Sequence, residues 1–128
     1  MTPYDTFIMV DWSGGNDRGP KPVKDAIWAC VARAGRAETP IYHRNRQVAE
    51  KWITDTLNNE VSAGRRCMIG FDFPFGYPVG FAQALTGQAD PFTVWDWFES
   101  RITDARSDNN RFDLAGEINL ALGSNGPF

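Results

Sequence analysis

The stretch Phe7-Ile8-Met9-Val10-Asp11-Trp12-Ser13-Gly14-Gly15 decides how this chain folds. Phe-Ile-Met-Val is a short, unbroken apolar run, and such runs read as buried strands when punctuation follows them. Here Asp11 ends the run and Trp-Ser-Gly-Gly supplies the turn. A second stretch repeats the arrangement. Cys67-Met68-Ile69-Gly70-Phe71 is apolar, ends on Asp72, and leads into Phe73-Pro74-Phe75-Gly76-Tyr77-Pro78.

Between these stretches, residues 16–24 carry Gly19, Pro20 and Pro22 among polar and basic residues and read as a loop. Ala26–Ala32 is a second apolar run, closed by Arg33-Ala34-Gly35, and suits a strand antiparallel to the first. Pro40–Arg44 reads as a third, short strand, which Pro40 confines to a strand start or an edge. His43, the single histidine, is expected at the surface of that edge. From Gln47 to Val61 the apolar residues Val48, Ala49, Trp52, Ile53, Leu57 and Val61 fall at the three-and-four spacing of an amphipathic helix. Asn45 suits its N-cap and Gly64 its C-terminal stop.

Beyond the loop at residues 73–80, Phe81–Leu85 suggests a helical turn. Val94, Trp95, Phe98, Ile102 and Ala105 mark a helix, and Phe112 to Leu122 a last one, weakened by Gly116. Trp28, Trp52, Trp95 and Phe98 are expected in the core, and Trp12, Tyr77 and Trp97 near exposed surface. A strand that follows a helix usually completes a parallel crossover. The expected class is therefore α/β, with a mixed sheet of three antiparallel strands and a βαβ crossover, flanked by helices.

The chain's 128 residues suit one domain that can fold without metal or disulfide staples. With 42% hydrophobic residues and 23% charged, it is too apolar for a disordered chain. A net charge of −3 argues against gripping nucleic acid through bulk positive charge, which leaves only a local, metal-bridged contact. Cys30 and Cys67 do not form a disulfide framework, no secretory leader is visible, and no run approaches a membrane span. The expectation is a cytoplasmic protein without membrane contact. One histidine and two distant cysteines assemble neither a zinc site nor an assured Ser-His-Asp arrangement.

Asp11 and Asp72 occupy equivalent positions. If their strands are parallel neighbours, both carboxylates emerge at the same carboxyl edge of the sheet, where open α/β folds place ligands. Adjacent carboxylates repel unless a cation bridges them, and hard oxygen donors suit Mg²⁺ or Mn²⁺. The competing account is that each Asp caps a turn or a following helix. Glu50, placed in the helix's first turn at the border of its apolar stripe, is a third acidic candidate; a favourable helix-dipole contact is its alternative. Arg44 and Arg46, just before that helix, are candidates to meet substrate phosphate, with Ser13 as a hydroxyl donor. Solvated loop charge is the alternative for the arginines.

The order strand-Asp, two strands, helix with an early Glu, strand-Asp resembles the ribonuclease H-like fold. Asp11-Trp12-Ser13-Gly14 and Asp72-Phe73-Pro74-Phe75-Gly76-Tyr77-Pro78 are similar to segments of uncharacterised families described as predicted nucleases of that fold. The resemblance covers about residues 7–78. It implies divalent-metal phosphodiester hydrolysis, with Asp11 and Asp72 as metal ligands and Glu50 as a further catalytic carboxylate. That fold normally adds a fifth strand and a helix with another acidic ligand. No further strand is evident over residues 122–128: either the helices after Pro78 replace that region or the chain is the amino-terminal portion of a longer protein, so residues 5–78 are expected to form the core, residues 79–128 a helical part, and the active site to be partial. Asp113 and Glu117 could substitute, although no spacing requires it.

Two other classes compete. The apolar loop at residues 73–80 suits a non-catalytic binding or assembly module. Asp11-x-Ser13-Gly14-Gly15 also resembles the first phosphate loop of actin-like ATPases and sugar kinases, whose glycines admit phosphate to backbone N–H groups. It lacks the lysine of a P-loop, and 128 residues cannot hold two kinase lobes.

Overall fold

In a computed structural model, residues 3–123 are described. They fall into two compact units, the first ending at Phe73 and the second starting at Pro74.

The first unit is a five-stranded mixed sheet with one helix. Strands β1 (Thr6–Asp11) and β2 (Ile27–Arg33) pair antiparallel, from Thr6 opposite Arg33 to Asp11 opposite Trp28. A two-residue turn, Ala34-Gly35, follows with φ of 48° and 74°. Two positive φ values suit the right-handed twist of a tight hairpin, and Gly35 adopts one without strain. A two-residue β3 (Arg36–Ala37), not expected from sequence, pairs one end of β2, and the expected third strand is β4 (Ile41–His43), which pairs the other. Pro40, which has no N–H to give a ladder, stands in the interval.

Helix α1 (Arg46–Ser62) begins one residue before the sequence estimate. The Asn45 side chain accepts the Val48 N–H as N-cap, and Gly64 ends the element at φ 70°. β5 (Cys67–Phe71) then joins β1 in parallel, giving the expected mixed sheet.

Strand alternation sorts the side chains between two faces. Ile8, Val10, Ile27, Ala29 and Val31 form a buried core with Ala49, against which Trp52, Ile53 and Leu57 of α1 pack. The opposite face carries Met9, which is 61% exposed, and half-buried Trp28 and Cys30. His43 contradicts its surface assignment. It is 2% exposed, directed to the α1 side opposite Ile27, with its ring 5.0 Å from that of Trp52. An edge strand has two faces, and alternation turns residue 43 inward.

The second unit holds α2 (Phe81–Thr86), α3 (Phe92–Glu99) and α4 (Arg111–Ala121), with a core of Phe81, Val94 and Ile118. The helix expected to reach Ala105 stops at Glu99. A small hairpin, β6 (Asp104–Ala105) and β7 (Asp108–Asn109), takes its place, so Ile102 and Ala105 are not helical. Trp95 is 42% exposed rather than core, whereas Trp97 packs against the core with Arg101 over its ring at 4.4 Å. The tail at 124–128, read from sequence as lacking a strand, lies outside the described residues. No helix among the described residues is long and apolar enough to cross a membrane.

Candidate active site

β1 and β5 run in parallel with Val10 opposite Phe71, so Asp11 and Asp72 are the next pair in the same register. Both leave the carboxyl ends of adjacent strands on the face away from α1, and both are exposed. The backbone N–H of Trp12 donates to Asp72 Oδ1 at 2.8 Å. That bond holds the Asp72 carboxyl below the usual range, because it favours the anion. Asp11 is pushed up by its hydrogen bond to Asp72, then by burial and by the neighbouring charge. Of the two, Asp11 holds its proton to higher pH and Asp72 ionises first.

The row continues across the sheet. Trp28 lies opposite Asp11, and Tyr42 opposite Trp28, so Tyr42, Trp28, Asp11 and Asp72 share one face over four strands. The Trp28 and Tyr42 rings are 5.5 Å apart. Trp28 Nε1 donates to the Val23 carbonyl at 3.0 Å and the Tyr42 hydroxyl to the Gly19 carbonyl at 2.8 Å. The first loop therefore fixes both rings by their polar tips.

Glu50 does not join the pair. Because α1 starts at Arg46, its first turn contains no acidic residue and Glu50 lies in the second. Glu50 lines a separate depression with Trp12, Ile53, Thr54, Phe71 and Phe73 on the α1 side. Among the described residues no three His, Cys, Asp or Glu side chains converge as a metal-holding group, which also leaves out Asp113 and Glu117.

The other candidates serve the first loop. Arg44 Nε donates to both carboxylate oxygens of Asp17, at 2.8 and 3.0 Å, and Asn45 Nδ2 donates to Oδ2 at 2.8 Å. Arg46 is 9% exposed and donates to the Gly15 carbonyl. Ser13 Oγ accepts the Gly15 N–H at 3.2 Å, a local turn bond. A Cβ on Gly15 would stand 2.6 Å from an Arg18 guanidinium nitrogen. The glycine turn is thus packed against its own chain, and this geometry lends no support to the actin-like reading.

A charged group not expected from sequence is buried and held by several side-chain hydrogen bonds. Glu60 is 1% exposed at the opposite end of the sheet. Thr6 Oγ1 and Arg65 Nε donate to its Oε2, each at 2.5 Å, and Arg33 Nη2 donates to Oε1 at 2.6 Å. These bonds hold its carboxyl far below the usual range, Arg65 contributing most, then Arg33. One signal was available: Glu60 falls three residues after Leu57 and seven after Ile53, inside the apolar stripe of α1.

Comparison with protein-family models, curated proteins and solved structures gives no match.

Proposed function

We propose that this protein binds Mg²⁺ or Mn²⁺ at Asp11 and Asp72 and hydrolyses phosphodiester bonds of nucleic acid there. The observation that carries this reading is the in-register placement of the two carboxyls at adjacent parallel strand ends. Their chemistry fits such an ion, since Mg²⁺ is commonly held by one or two carboxylates with water and substrate phosphate completing its shell. When bound, the ion polarises a phosphate oxygen and lowers the pKa of a water.

The chain's own part is positioning. Trp12 N–H orients Asp72, and Asp11 beside it would supply the second carboxylate donor to the ion. With no third converging carboxylate among the described residues, two residues anchor the ion. Arg44 and Arg46 build the loop beside the site rather than presenting free charge to substrate. The order of strands and the paired aspartates also support the ribonuclease H-like resemblance on which nucleic acid is chosen as substrate.

Calorimetric titration with Mn²⁺ tests the reading. The wild type takes up the ion at sub-millimolar to millimolar concentration, Asp11→Asn and Asp72→Asn do not, and a labelled oligonucleotide is cleaved only by the wild type. Absence of Mn²⁺ binding at 10 mM sinks it.

A second reading has one specific observation behind it. Within the second unit, an apolar cavity of about 500 Å³ is lined by Phe75, Tyr77, Val79, Val94 and Trp95. Tyr77 is stacked on Phe81 at 4.5 Å, which fixes one wall. This favours a binding or assembly module using the 73–80 loop. Phe75→Ser with Tyr77→Ser should abolish association with a captured partner while leaving Mn²⁺ affinity unchanged.

A further inference from the structure

We propose that the depression beside Asp11 and Asp72 is a nucleobase subsite, which takes an unpaired base of single-stranded nucleic acid against the Trp28 indole. The inference rests on the reading of the carboxyl pair as a phosphodiester site and adds the form of its substrate.

The depression, about 340 Å³, is lined by Met9, Trp28, Cys30, Pro40 and the two aspartates. Its charge lies at one end, at Asp11 and Asp72, and the rest of these side chains are apolar. That distribution matches a nucleotide, whose phosphate is charged and whose base is a flat, weakly polar ring. Spacing matches as well: Trp28 is the cross-strand neighbour of Asp11, and directly opposed side chains in antiparallel pairs have Cβ atoms about 5 Å apart. A phosphate held at the carboxyl pair leaves its base within reach of the indole.

Two features prepare the surface. The Trp28 ring is held by Val23 and Tyr42, so it need not be ordered on binding. Gly70, the neighbour of Met9 on β5, has no side chain, and a Cβ there would stand 2.9 Å from Met9 Cε. The Met9 thioether therefore lies flat over Gly70, and a polarisable group forms the floor.

The polar atoms around the depression are already engaged. Trp28 Nε1 donates to Val23, Cys30 Sγ to the Glu38 carbonyl at 3.3 Å, and the Tyr42 hydroxyl to Gly19. Stacking without hydrogen-bond readout is sequence-tolerant, because every base has a π-face. A base paired in a duplex presents no free face and is excluded.

The test is fluorescence anisotropy with a 3′-labelled single-stranded tetrathymidylate, an abasic tetramer of the same backbone and a 12-base-pair duplex, with Ca²⁺ present. The tetramer should bind at least about tenfold more tightly than either comparator, since stacking one base is worth roughly that factor or more. Trp28→Leu should erase the difference and Trp28→Phe should keep most of it, with circular dichroism reporting the fold of each variant. Tetraadenylate should bind within a few-fold of tetrathymidylate. Equal binding of tetramer and abasic backbone overturns the proposal, as does duplex binding of equal strength, no binding at all, or an unchanged preference in folded Trp28→Leu. Mn²⁺ calorimetry on the same samples separates the two readings. A chain that binds no Mn²⁺ sinks the hydrolase reading, whereas one that binds Mn²⁺ without base preference sinks only the subsite.

Discussion

Asp11 and Asp72 stand side by side at the ends of adjacent parallel strands, and the Trp12 N–H donates to the Asp72 carboxylate and favours its anion. Asp11 is therefore the member that keeps a proton above the ordinary aspartate range. A cation entering the pair has to displace that proton, so ion uptake is pH-linked. Calorimetry of Mn²⁺ binding in buffers of different ionisation enthalpy should show proton release that is larger toward acidic pH and fades as pH rises. The apparent affinity should fall as pH drops. A proton count that does not change with pH contradicts this account.

Glu60 sets the acid limit of the fold. Its folded pKa lies far below its unfolded value, so its contribution is complete above the ordinary carboxylate range and is lost progressively as pH falls from that range toward the lower folded value. Glu60→Gln leaves Arg65 without its buried anion and Arg33 with only Glu38, although both arginines reach water at 35% and 41% exposure. The expected cost is about 3 kcal/mol at pH 7, at the lower end for a broken buried pair. Urea unfolding at pH 7 and pH 3.5 should show a large pH difference in the wild type and a smaller one in Glu60→Gln. An equal difference in both would place the acid sensitivity elsewhere.

The legible part of this chain is the part written in local pattern. Apolar runs ending in Asp11 and Asp72, the Asn45 cap, the Gly64 stop and the stripe from Val48 to Leu57 each act over a few residues, and strands, helix and pairing follow. What stayed hidden depends on faces and distant partners. Arg44 and Arg46 look like free cations until the loop folds back and brings Asp17 and the Gly15 carbonyl to them. Glu50 falls between the two aspartates in chain order, yet strand alternation sends Asp11 to one face while α1 keeps Glu50 on the other. The helical spacing of apolar residues runs on through Ile102 and Ala105, past the real end of α3 at Glu99.

His43 carries a buried ring nitrogen, Nε2, with no hydrogen-bond partner, and burial pushes its pKa down. A histidine with a depressed folded pKa stabilises the fold above its unfolded pKa near 6.5 and loses that contribution as pH falls below it. His43→Leu removes both the orphan nitrogen and the titration. Its stability at pH 7.5 should equal or exceed that of wild type, by up to about 1 kcal/mol. Guanidinium midpoints between pH 7.5 and 5 should decline less in the variant. A destabilisation of about 2 kcal/mol or more would mean that the imidazole's packing against Trp52 outweighs its unsatisfied atom.

Asp17 decides whether the first loop holds the aromatic half of the site in place. Its side chain is 8% exposed and accepts from Gly19 N–H at 2.7 Å as well as from Arg44 and Asn45. The same loop supplies the Gly19 and Val23 carbonyls that fix Tyr42 and Trp28. Asp17→Ala strands several donors at once and should cost about 2 kcal/mol, in line with loss of charged hydrogen bonds. Limited proteolysis should then cut within residues 16–24 faster than in wild type, while Mn²⁺ affinity at Asp11 and Asp72, held by Trp12 and the strands, should change less than threefold. If cleavage is unaffected, backbone bonds such as Arg18 N–H to the Arg44 carbonyl, at 2.9 Å, hold the loop without Asp17.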